Sequence, residues 1–465
     1  MTDYNMDKFN NIKLPDNIDS VIVNAAERAY KKKNSKLKKA LISIAAALVL
    51  FAVSVNLSPA FAKYVSSVPG LEYLVKLVNF NKGLQRAAEN GYTQNINKSA
   101  EDKGIKFTVN DIILDSKTIV VAYTIEATKD GYTDLNPSSF DFVDKSGKRI
   151  IGFTTLGTTP DDKFKSTKKK DGAITMDFEF SGDIPDTIIL KCKSFKDMVS
   201  EFNGGTYNKS DGNWEISIDI NKDLVKNNPD IYKLNKEKII GPMKCKFEDV
   251  EIYPTVAEVN VSIDNDEKYK FIGFVNARLI DDKGVEYKNF TTMGDPHGET
   301  LKIESTYFTK SKTLNFKADG IYYMPKDQYV ILDLENQKII DDCGYGLELL
   351  YINKGKSKEF EDEKYDFDIG FKVKDPEIVQ NIKLHDWYSG GGIDFDEIVD
   401  EKGNKLECDR RYWHGIAKGI NDKEESIEDG FCIKKSNPNS SPKLLKLRVS
   451  HVSKGTIEPI DIKIK

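Results

Sequence analysis

Two short stretches in the C-terminal part of the chain concentrate the side chains that could recognise a ligand. They read LHDWYSGGG and RRYWHG, and they hold two of the three tryptophans and two of the four histidines among 465 residues. Aromatic rings beside glycines can stack on a sugar or a peptide, and arginine can bind a carboxylate. The alternative is that the tryptophans fill a hydrophobic core. The candidate ligand platform consists of Trp387, Tyr388, Arg410, Arg411, Tyr412 and Trp413.

Patterns typical of catalytic and metal sites are absent from the sequence. It contains no Gly-x-Ser-x-Gly elbow, Walker loop, His-Glu-x-x-His motif or Rossmann fingerprint. Two acidic stretches carry the oxygen ligands that Ca²⁺ prefers: SIDNDEKYK with Asp264 and Asp266, and DFDEIVD with Asp394, Asp396 and Asp400. Neither continues with the glycine and final glutamate of a calcium loop, so solvated turns are expected. We predict no cofactor, no metal and no enzymatic activity.

The five cysteines, at positions 192, 245, 343, 408 and 432, include no CxxC pair and therefore lack the spacing of zinc ligands. Cys408 and Cys432 are the pair that a disulfide could join. Five separate thiols are the alternative.

Charge is distributed unevenly along the chain. Residues 1–39 carry nine Lys/Arg and five acidic residues, a net charge of +4, and residues 40–62 carry no charge. The whole chain has a net charge of −5, so the remainder has a net charge of −9. Nucleic-acid binding needs a positive face, and the acidic bulk therefore excludes nucleic acid as a partner.

The uncharged segment 40–62 predicts a transmembrane helix. Its 23 residues are enough to cross a bilayer, and six lysines between residues 31 and 39 flank its N-terminal side. By the positive-inside rule, the N-terminus is cytoplasmic and the C-terminal bulk is extracellular. Ala60-Phe61-Ala62 also fits a signal-peptidase site, but the long N-terminal region is unlike a signal peptide. We expect the helix to be retained in the cell membrane.

The cytoplasmic segment 1–39 has the pattern of a basic amphipathic helix. Pro15-Asp16 offers a helix start, and the apolar residues that follow fall on one helical face. Such a stripe needs a partner to cover it. The candidate partner-binding residues are Ile18, Val21, Ile22, Ala25 and Ala29.

Beyond residue 104, period-two alternation predicts β-strands, and the same layout recurs along the chain. The segments FVDKSGK, LIDDKGV and IVDEKGN place Asp144, Asp281 and Asp400 three residues before a glycine, which suits a hairpin turn. The copies are expected to end in alternating strands that begin at Trp214, Tyr365 and Ile457. The predicted fold is mainly β: one N-terminal transmembrane helix, a short helical segment, and two to three tandem antiparallel immunoglobulin-like β-sandwich modules.

These patterns divide the chain into six predicted segments. The boundaries are 1–39 for the cytoplasmic helix, 40–62 for the transmembrane helix, 63–100 for a juxtamembrane helical segment, and 101–240, 241–374 and 375–465 for the three β-modules.

Three stretches, IKLPDNIDSVI, NLSPAFAKYVSSVPGLEYLVKLVNFNKGL and GIKFTVNDIILDSKTIVVAYTIE, resemble a family of single-pass envelope proteins of Gram-positive bacteria. Those proteins carry an exported domain of unknown function after one membrane helix, and residues from about 240 onward are similar to a second uncharacterised domain. Genes of this family commonly lie beside extracytoplasmic-function sigma factors. The resemblance therefore implies an anti-sigma-factor-like regulator with a cytoplasmic sigma factor as partner, and it supplies no catalytic or binding residues.

Residues 1–62 contain no Cys and no His, which excludes the zinc-binding anti-sigma domain. The expected function is a membrane-anchored envelope signal transducer. The alternative is a non-enzymatic surface binding or adhesion protein that contacts cell-wall polymer or an envelope protein.

Overall fold

A computed structural model describes most of the chain from residue 81 onward, within the compact unit Pro69–Lys465. The predicted cytoplasmic helix and the predicted transmembrane segment 40–62 lie outside the described residues. The described residues are 81–132, 134–150, 152–158, 168–178, 184–197, 208–226, 228–264, 266–295, 298–355, 366–384, 392–418, 425–434, 442–456 and 458–465.

The described chain is mainly β, as predicted. Its α-helices are α1 (Lys82–Glu89) and α2 (Pro376–Leu384), and a 3₁₀ turn lies at Lys222–Val225 between β8 and β9. None of the helices in this part of the chain has the length and apolar character needed to span a bilayer.

The first module contains strands β1 to β8 in two sheets packed around one core. One sheet has the order β1-β2-β3-β6-β5 and the other the order β4-β7-β8. Strand β3 is buried at nine of its ten positions, and Trp214 is completely buried, with its indole N–H donating to the carbonyl of Ile105 at 2.8 Å. The strands are β1 (Thr93–Asp102), β2 (Ile105–Leu114), β3 (Thr118–Ala127), β4 (Leu135–Val143), β5 (Gly152–Thr158), β6 (Lys169–Phe178), β7 (Thr187–Asp197) and β8 (Asn208–Asp219).

The second module forms one eight-stranded sheet around its own core. Its strands have the order β9-β10-β11-β15-β14-β13-β16-β27, and β12 and β17 form a small extra sheet with β26. The strands are β9 (Asp230–Ile240), β10 (Met243–Ile252), β11 (Val256–Ile263), β12 (Tyr269–Val275), β13 (Arg278–Asp281), β14 (Glu286–Asp295), β15 (Gly298–Glu304), β16 (Leu314–Ala318), β17 (Gly320–Pro325), β26 (Gly455–Thr456) and β27 (Ile460–Lys463).

The third module has a third core and the strand order β19-β18-β25-β22-β23-β24-β21-β20. Helix α2 joins β21 to β22 and buries Ile378 and Val379 in this core. The strands are β18 (Tyr329–Asp333), β19 (Lys338–Asp341), β20 (Leu347–Lys354), β21 (Phe367–Val373), β22 (Ile393–Asp400), β23 (Lys405–Lys418), β24 (Glu425–Lys434) and β25 (Leu444–Val452).

The second and third modules exchange their last strands. In the first module β8 pairs with β7, the strand that precedes it in the chain. The equivalent neighbour of β16 in the second module is β27, from the extreme C-terminus, and the equivalent neighbour of β25 in the third module is β18. The chain therefore leaves the second module before completing it, forms the third, and returns to close the second.

This exchange changes three boundaries predicted from the sequence. The strand beginning at Ile457 was expected to close the third module, and the strand beginning at Tyr365 to close the second. Instead β27 closes the second module, and β21 is an inner strand of the third. The third module therefore begins with β18, well before residue 375. The last residues of the predicted helical segment 63–100 form β1, a polar edge strand held by its pairing with β2.

The two crossing connections pair with each other. Strand β17 leaves the second module, β26 returns to it, and the two run antiparallel, with Tyr322 opposite Gly455 and Ile321 opposite Thr456. Strand β12 pairs with the other edge of β17. This three-stranded sheet lies at the junction of the two modules and positions the site described below.

The three aspartate turns predicted from the sequence are present and share one hydrogen-bond pattern. In each turn one carboxylate oxygen accepts the backbone N–H groups two and four residues later, at 2.8 to 3.0 Å. The glycine that follows each aspartate has a positive φ of 74° to 83°. The equivalent aspartates are Asp144, Asp281 and Asp400, and the glycines are Gly147, Gly284 and Gly403.

Buried charges join the first module to the second. Lys302, on β15, lies 2.6 Å from Asp177 of β6 and 3.1 Å from Glu258 of β11. The Asp115 carboxylate is fully buried and accepts both the backbone N–H and the hydroxyl of Thr255, at 2.8 and 2.7 Å. Burial raises the pKa of Asp115, and these hydrogen bonds oppose that effect.

Candidate functional site

A cleft of about 1100 Å³ lies at the junction of the second and third modules. Strands β12, β14 and β15 of the second module form one side of it. Residues of β22 and β25 in the third module form the other side, including Asp396, Arg448 and His451. The cleft exists because the strand exchange holds these two modules against each other.

Aromatic residues of β12 line part of the cleft. Phe271 and Phe274 pack edge to face with ring centroids 5.2 Å apart, and Tyr269 packs on Tyr323 at 5.5 Å. The β12–β17 register shifts between Phe271 and Gly273, a bulge that turns the strand locally. A Cβ atom placed on Gly273 would meet nothing within 4 Å, so open space lies beside this residue.

Glu299 is the acidic group that faces the interior of this site. It occupies an inward position of β15, in phase with the core residues Leu301 and Ile303. Its carboxylate oxygen Oε2 is buried and has no hydrogen-bond partner. Burial raises the pKa of Glu299 to about 8. The group can therefore hold a proton near neutral pH, or ionise when a ligand brings a positive charge.

The neighbours of Glu299 across the sheet leave room beside its carboxyl group. Phe247, Val261, Glu299 and Gly294 stand opposite one another on four adjacent strands and form one row on the inner face. A side chain at Gly294 would press on Glu299, since a Cβ atom there would lie 3.0 Å from Glu299 Cγ and 2.7 Å from the carbonyl of Gly298. Glycine at this position keeps the carboxyl group accessible from the cleft.

A second polar atom in the cleft also lacks a partner. Asn289, on β14, donates its amide group to the Thr292 hydroxyl at 3.0 Å, while its Oδ1 atom is buried and unbonded. The Asn289 Oδ1 atom is a hydrogen-bond acceptor, and Glu299 Oε2 is a second acceptor when its carboxyl group is ionised. A buried polar group without a partner costs roughly 1–3 kcal/mol, so a ligand that supplies donors would gain from binding here.

The charges on the third-module side are already paired. Arg448 Nε lies 2.8 Å from Asp396 Oδ1, and its Nη1 lies 3.4 Å from Glu397 Oε2. Lys270 of β12 donates across the junction to the Ser450 carbonyl at 3.0 Å. Burial lowers the pKa of His451, which favours its neutral form. These contacts hold the third-module side of the cleft in position. The buried acceptors without partners, on Asn289 and Glu299, belong to the second module.

The structure describes only part of the two sites predicted from the sequence. Trp387 and Tyr388 of the ligand platform lie outside the described residues, as do Ile18, Val21, Ile22, Ala25 and Ala29 of the partner-binding helix. The other half of the platform lies on β23, paired with β24. There Arg410, Arg411, Tyr412 and Trp413 stand opposite Cys432, Phe431, Gly430 and Asp429.

The acidic stretches considered as calcium ligands form turns and ion pairs. Asp266 accepts the backbone N–H groups of Lys268 and Tyr269 at 2.7 and 2.8 Å, Asp396 pairs with Arg448, and Asp400 caps its own turn. Across the described residues, no group of three or more His, Cys, Asp or Glu side chains could hold a metal ion.

The cysteines, all within the described part of the chain, are thiols. Cys408 stands opposite Ile433 on β24, and neighbouring residues on a strand point to opposite faces of the sheet. Cys432 consequently faces away from Cys408, and its thiol lies 3.7 Å from the Asp368 carboxylate. The disulfide considered from the sequence does not form in this arrangement.

Sequence reasoning missed the cleft, although it noted some of its residues. Asp264, Asp266 and Asp396 are interpreted from the sequence as parts of two separate acidic turns, because nothing in the sequence indicates that β12 and β25 meet. One signal was available for Glu299. In GETLKIE, the glutamate shares the period of Leu301 and Ile303, which places a carboxyl group at a core position.

Comparison with known proteins finds families without an assigned function. Residues 32–127 match a family model described as "Domain of unknown function (DUF4179)", and residues 230–350 match one described as "Family of unknown function (DUF5643)". These matches confirm the part of the resemblance that concerns domains of unknown function. No curated protein matches the chain.

One similar solved structure is titled "The crystal structure of the conserved domain protein from Bacillus anthracis". It has 15% sequence identity and a TM-score of 0.38, over 53% of this chain and 84% of that chain.

Proposed function

We propose that this chain is a non-enzymatic, single-pass membrane protein whose extracellular β-modules bind a ligand in the cleft between the second and third modules. The observation that carries the proposal is the cleft itself, with its aromatic lining and two buried acceptors that lack partners. The cleft combines aromatic side chains with polar groups that converge on the same space, and concave sites of this volume are typical of ligand sites. Segment 40–62, with lysines on its N-terminal side, supports the membrane anchor.

The strand order supports immunoglobulin-like modules. A constant-type immunoglobulin domain has the sheets ABED and CFG. If β2 to β8 are lettered A to G, the first module reads ABED and CFG, with β1 added beside A. The same lettering fits the other two modules, with β27 and β18 as their exchanged G strands. Such modules recur in cell-surface proteins, which agrees with a binding role outside the cell.

The role in signalling rests on the N-terminal segment. The apolar stripe formed by Ile18, Val21, Ile22, Ala25 and Ala29 is suited to a cytoplasmic partner, and the resemblance favours a sigma factor. In this proposal the cleft senses an envelope component and the N-terminal helix reports it as an anti-sigma-like regulator. The alternative is a surface binding or adhesion protein, which a mature form beginning at Lys63 would favour.

Ligand binding is tested by filling the cleft. We would incubate the full-length protein in membranes with soluble fragments released from Gram-positive cell walls by enzymatic digestion. Gly273→Trp places an indole in the open space beside β12 and is expected to weaken binding at least tenfold. The control is Ile340→Trp, at an exposed position of β19, which should bind as the unaltered protein does. Equal binding by both variants would exclude the cleft as the site.

The signalling role is tested from the cytoplasmic side. The full-length protein, solubilised from membranes, is expected to recover a sigma factor, and Ile22→Asp should abolish this recovery by placing a charge in the apolar stripe. If the unaltered protein recovers no sigma factor, the signalling role is wrong and the surface-binding alternative replaces it.

A further inference from the structure

We infer that the ligand of this cleft carries an aliphatic ammonium group, which binds the carboxylate of Glu299 while the apolar part of the ligand lies along Phe271 and Phe274. This inference rests on the proposed function, because it specifies the chemistry of the same cleft. The positive charge of the ligand does not follow from the cleft alone, since an apolar or neutral ligand could also occupy the space.

Two buried groups in the cleft lack a hydrogen-bond partner. Oδ1 of Asn289 is a buried acceptor without a donor, and Oε2 of Glu299 is a second one when its carboxyl group is ionised, so the missing component is a donor. An anionic ligand would bring further acceptors and would be repelled by the carboxylate. A neutral hydroxyl or amide would supply a donor, but it would not stabilise the ionised form of Glu299.

The surroundings of Glu299 favour a small cation. Its row on the inner face contains Phe247, Val261 and Gly294, so none of these neighbours supplies a positive charge. An isolated carboxylate in such a setting is poorly solvated, and a cation delivered by the ligand offsets that cost. A metal ion is a weaker candidate, since the described residues place no second and third ligand beside Glu299.

The aromatic lining fits the rest of the molecule. Phe274 packs against Phe247, with ring centroids 5.9 Å apart, and Phe247 starts the row that leads to Glu299. An alkyl stem or a sugar ring lying on these aromatic residues would therefore point its amine along the row. Rings near the carboxylate also attract a cation by their π-faces.

Two sources of such an amine are distinguishable with matched probes. For a peptide, the probes are Nα-acetyl-lysine amide, which keeps the side-chain ammonium group, and Nα-acetyl-norleucine amide, which lacks it. For an amino sugar, they are glucosamine and N-acetylglucosamine. Titration calorimetry at neutral pH on the full-length protein would compare each pair, and the source is the pair whose charged member binds.

The decisive variant is Glu299→Gln, which keeps the shape of the side chain and removes its charge. We expect at least a tenfold loss of affinity for the charged probe, with little change for a neutral one. Glu348→Gln, at an exposed position of β20, is the matched control and should bind normally. A melting curve of each variant establishes that it is folded.

The outcomes separate this inference from the proposed function. Equal affinity for charged and neutral probes, or no binding of either charged probe, would overturn the ammonium inference. The proposed function would still stand if Gly273→Trp abolished binding of cell-wall fragments. The inference predicts that both Glu299→Gln and Gly273→Trp lose affinity for the charged probe.

Discussion

Glu299 should make the stability of the protein depend on pH. Its pKa is raised by burial from 4.5 to about 8, so the folded chain holds a proton that the unfolded chain releases within this range. The contribution of Glu299 to the free energy of unfolding is therefore most favourable below pH 4.5, and it falls as the pH rises towards 8. At about 1.4 kcal/mol per pKa unit, the loss has an upper limit of about 5 kcal/mol.

Glu299→Gln should remove this dependence. Relative to the unaltered protein, the variant is expected to gain stability as the pH rises from 4.5 to 8, and to show little difference below pH 4.5. Urea unfolding at several pH values measures the effect. The control is Glu348→Gln, because hydrogen bonding by Lys374 lowers the pKa of Glu348 and gives the opposite sign. A difference that does not vary with pH would contradict the raised pKa.

Gly455 occupies a position where any larger residue should destabilise the fold. A Cβ atom there would collide with the carbonyl oxygen of Ile321 and lie 2.7 Å from the Cα of Tyr322. Gly455→Val must push the two crossing strands apart, at a cost of about 2 kcal/mol or more. Chemical denaturation measures this loss. Gly273→Ala is the control, since its Cβ atom has open space, and equal losses in both variants would refute the argument.

Buried charges hold strands of the first and second modules together. Lys302 is the residue that pairs with an acidic side chain of each module. It is almost fully buried between Asp177 and Glu258. Removing one partner of a buried ion pair leaves uncompensated charge, so Lys302→Met should cost about 3–5 kcal/mol.

The matched control for Lys302 is Lys317→Met. Lys317 lies 3.0 Å from Asp461, but both side chains are partly exposed, and such surface pairs contribute about 0–1 kcal/mol. Thermal unfolding of the two variants compares the contributions. Similar losses would mean that the buried pair contributes no more to stability than a surface pair.

The sequence predicts elements whose structure is determined locally. The turns at Asp144, Asp281 and Asp400 were predicted correctly because each aspartate bonds to backbone groups within four residues. Strand β1 was not predicted, since its polar sequence gains a strand conformation only by pairing with β2. Local hydrogen bonds can be read from neighbours in the sequence, whereas pairing between strands depends on the rest of the fold.

At the scale of the whole molecule, the exchange of last strands could not be derived from the sequence pattern. The alternation of Ile460, Ile462 and Ile464 fits the inner face of any module, and it does not specify which one. The cleft depends on this exchange, because it brings β12 of the second module beside β25 of the third. The candidate site was missed for the same reason, as its residues come from strands far apart in the chain.

The exchange should also make the second and third modules unfold together. Strand β27 completes the second core but is joined through β26 to the third module, and β18 completes the third core but is joined through β17 to the second. Destabilising the third core should therefore expose the amide groups of β27. Phe431 is buried in the third core, and Phe431→Ala is expected to cost about 3–5 kcal/mol.

Native-state hydrogen exchange tests this coupling. In Phe431→Ala, the amide groups of Ile460 and Ile462 should exchange about 100-fold faster or more, if global opening of both modules limits their exchange. The control is Phe195→Ala in the first core, which should affect β27 less, because no described strand of the first module enters the second. Unchanged exchange at β27 in Phe431→Ala would mean that the modules open independently, so that strand exchange gives the junction its geometry without making its unfolding cooperative.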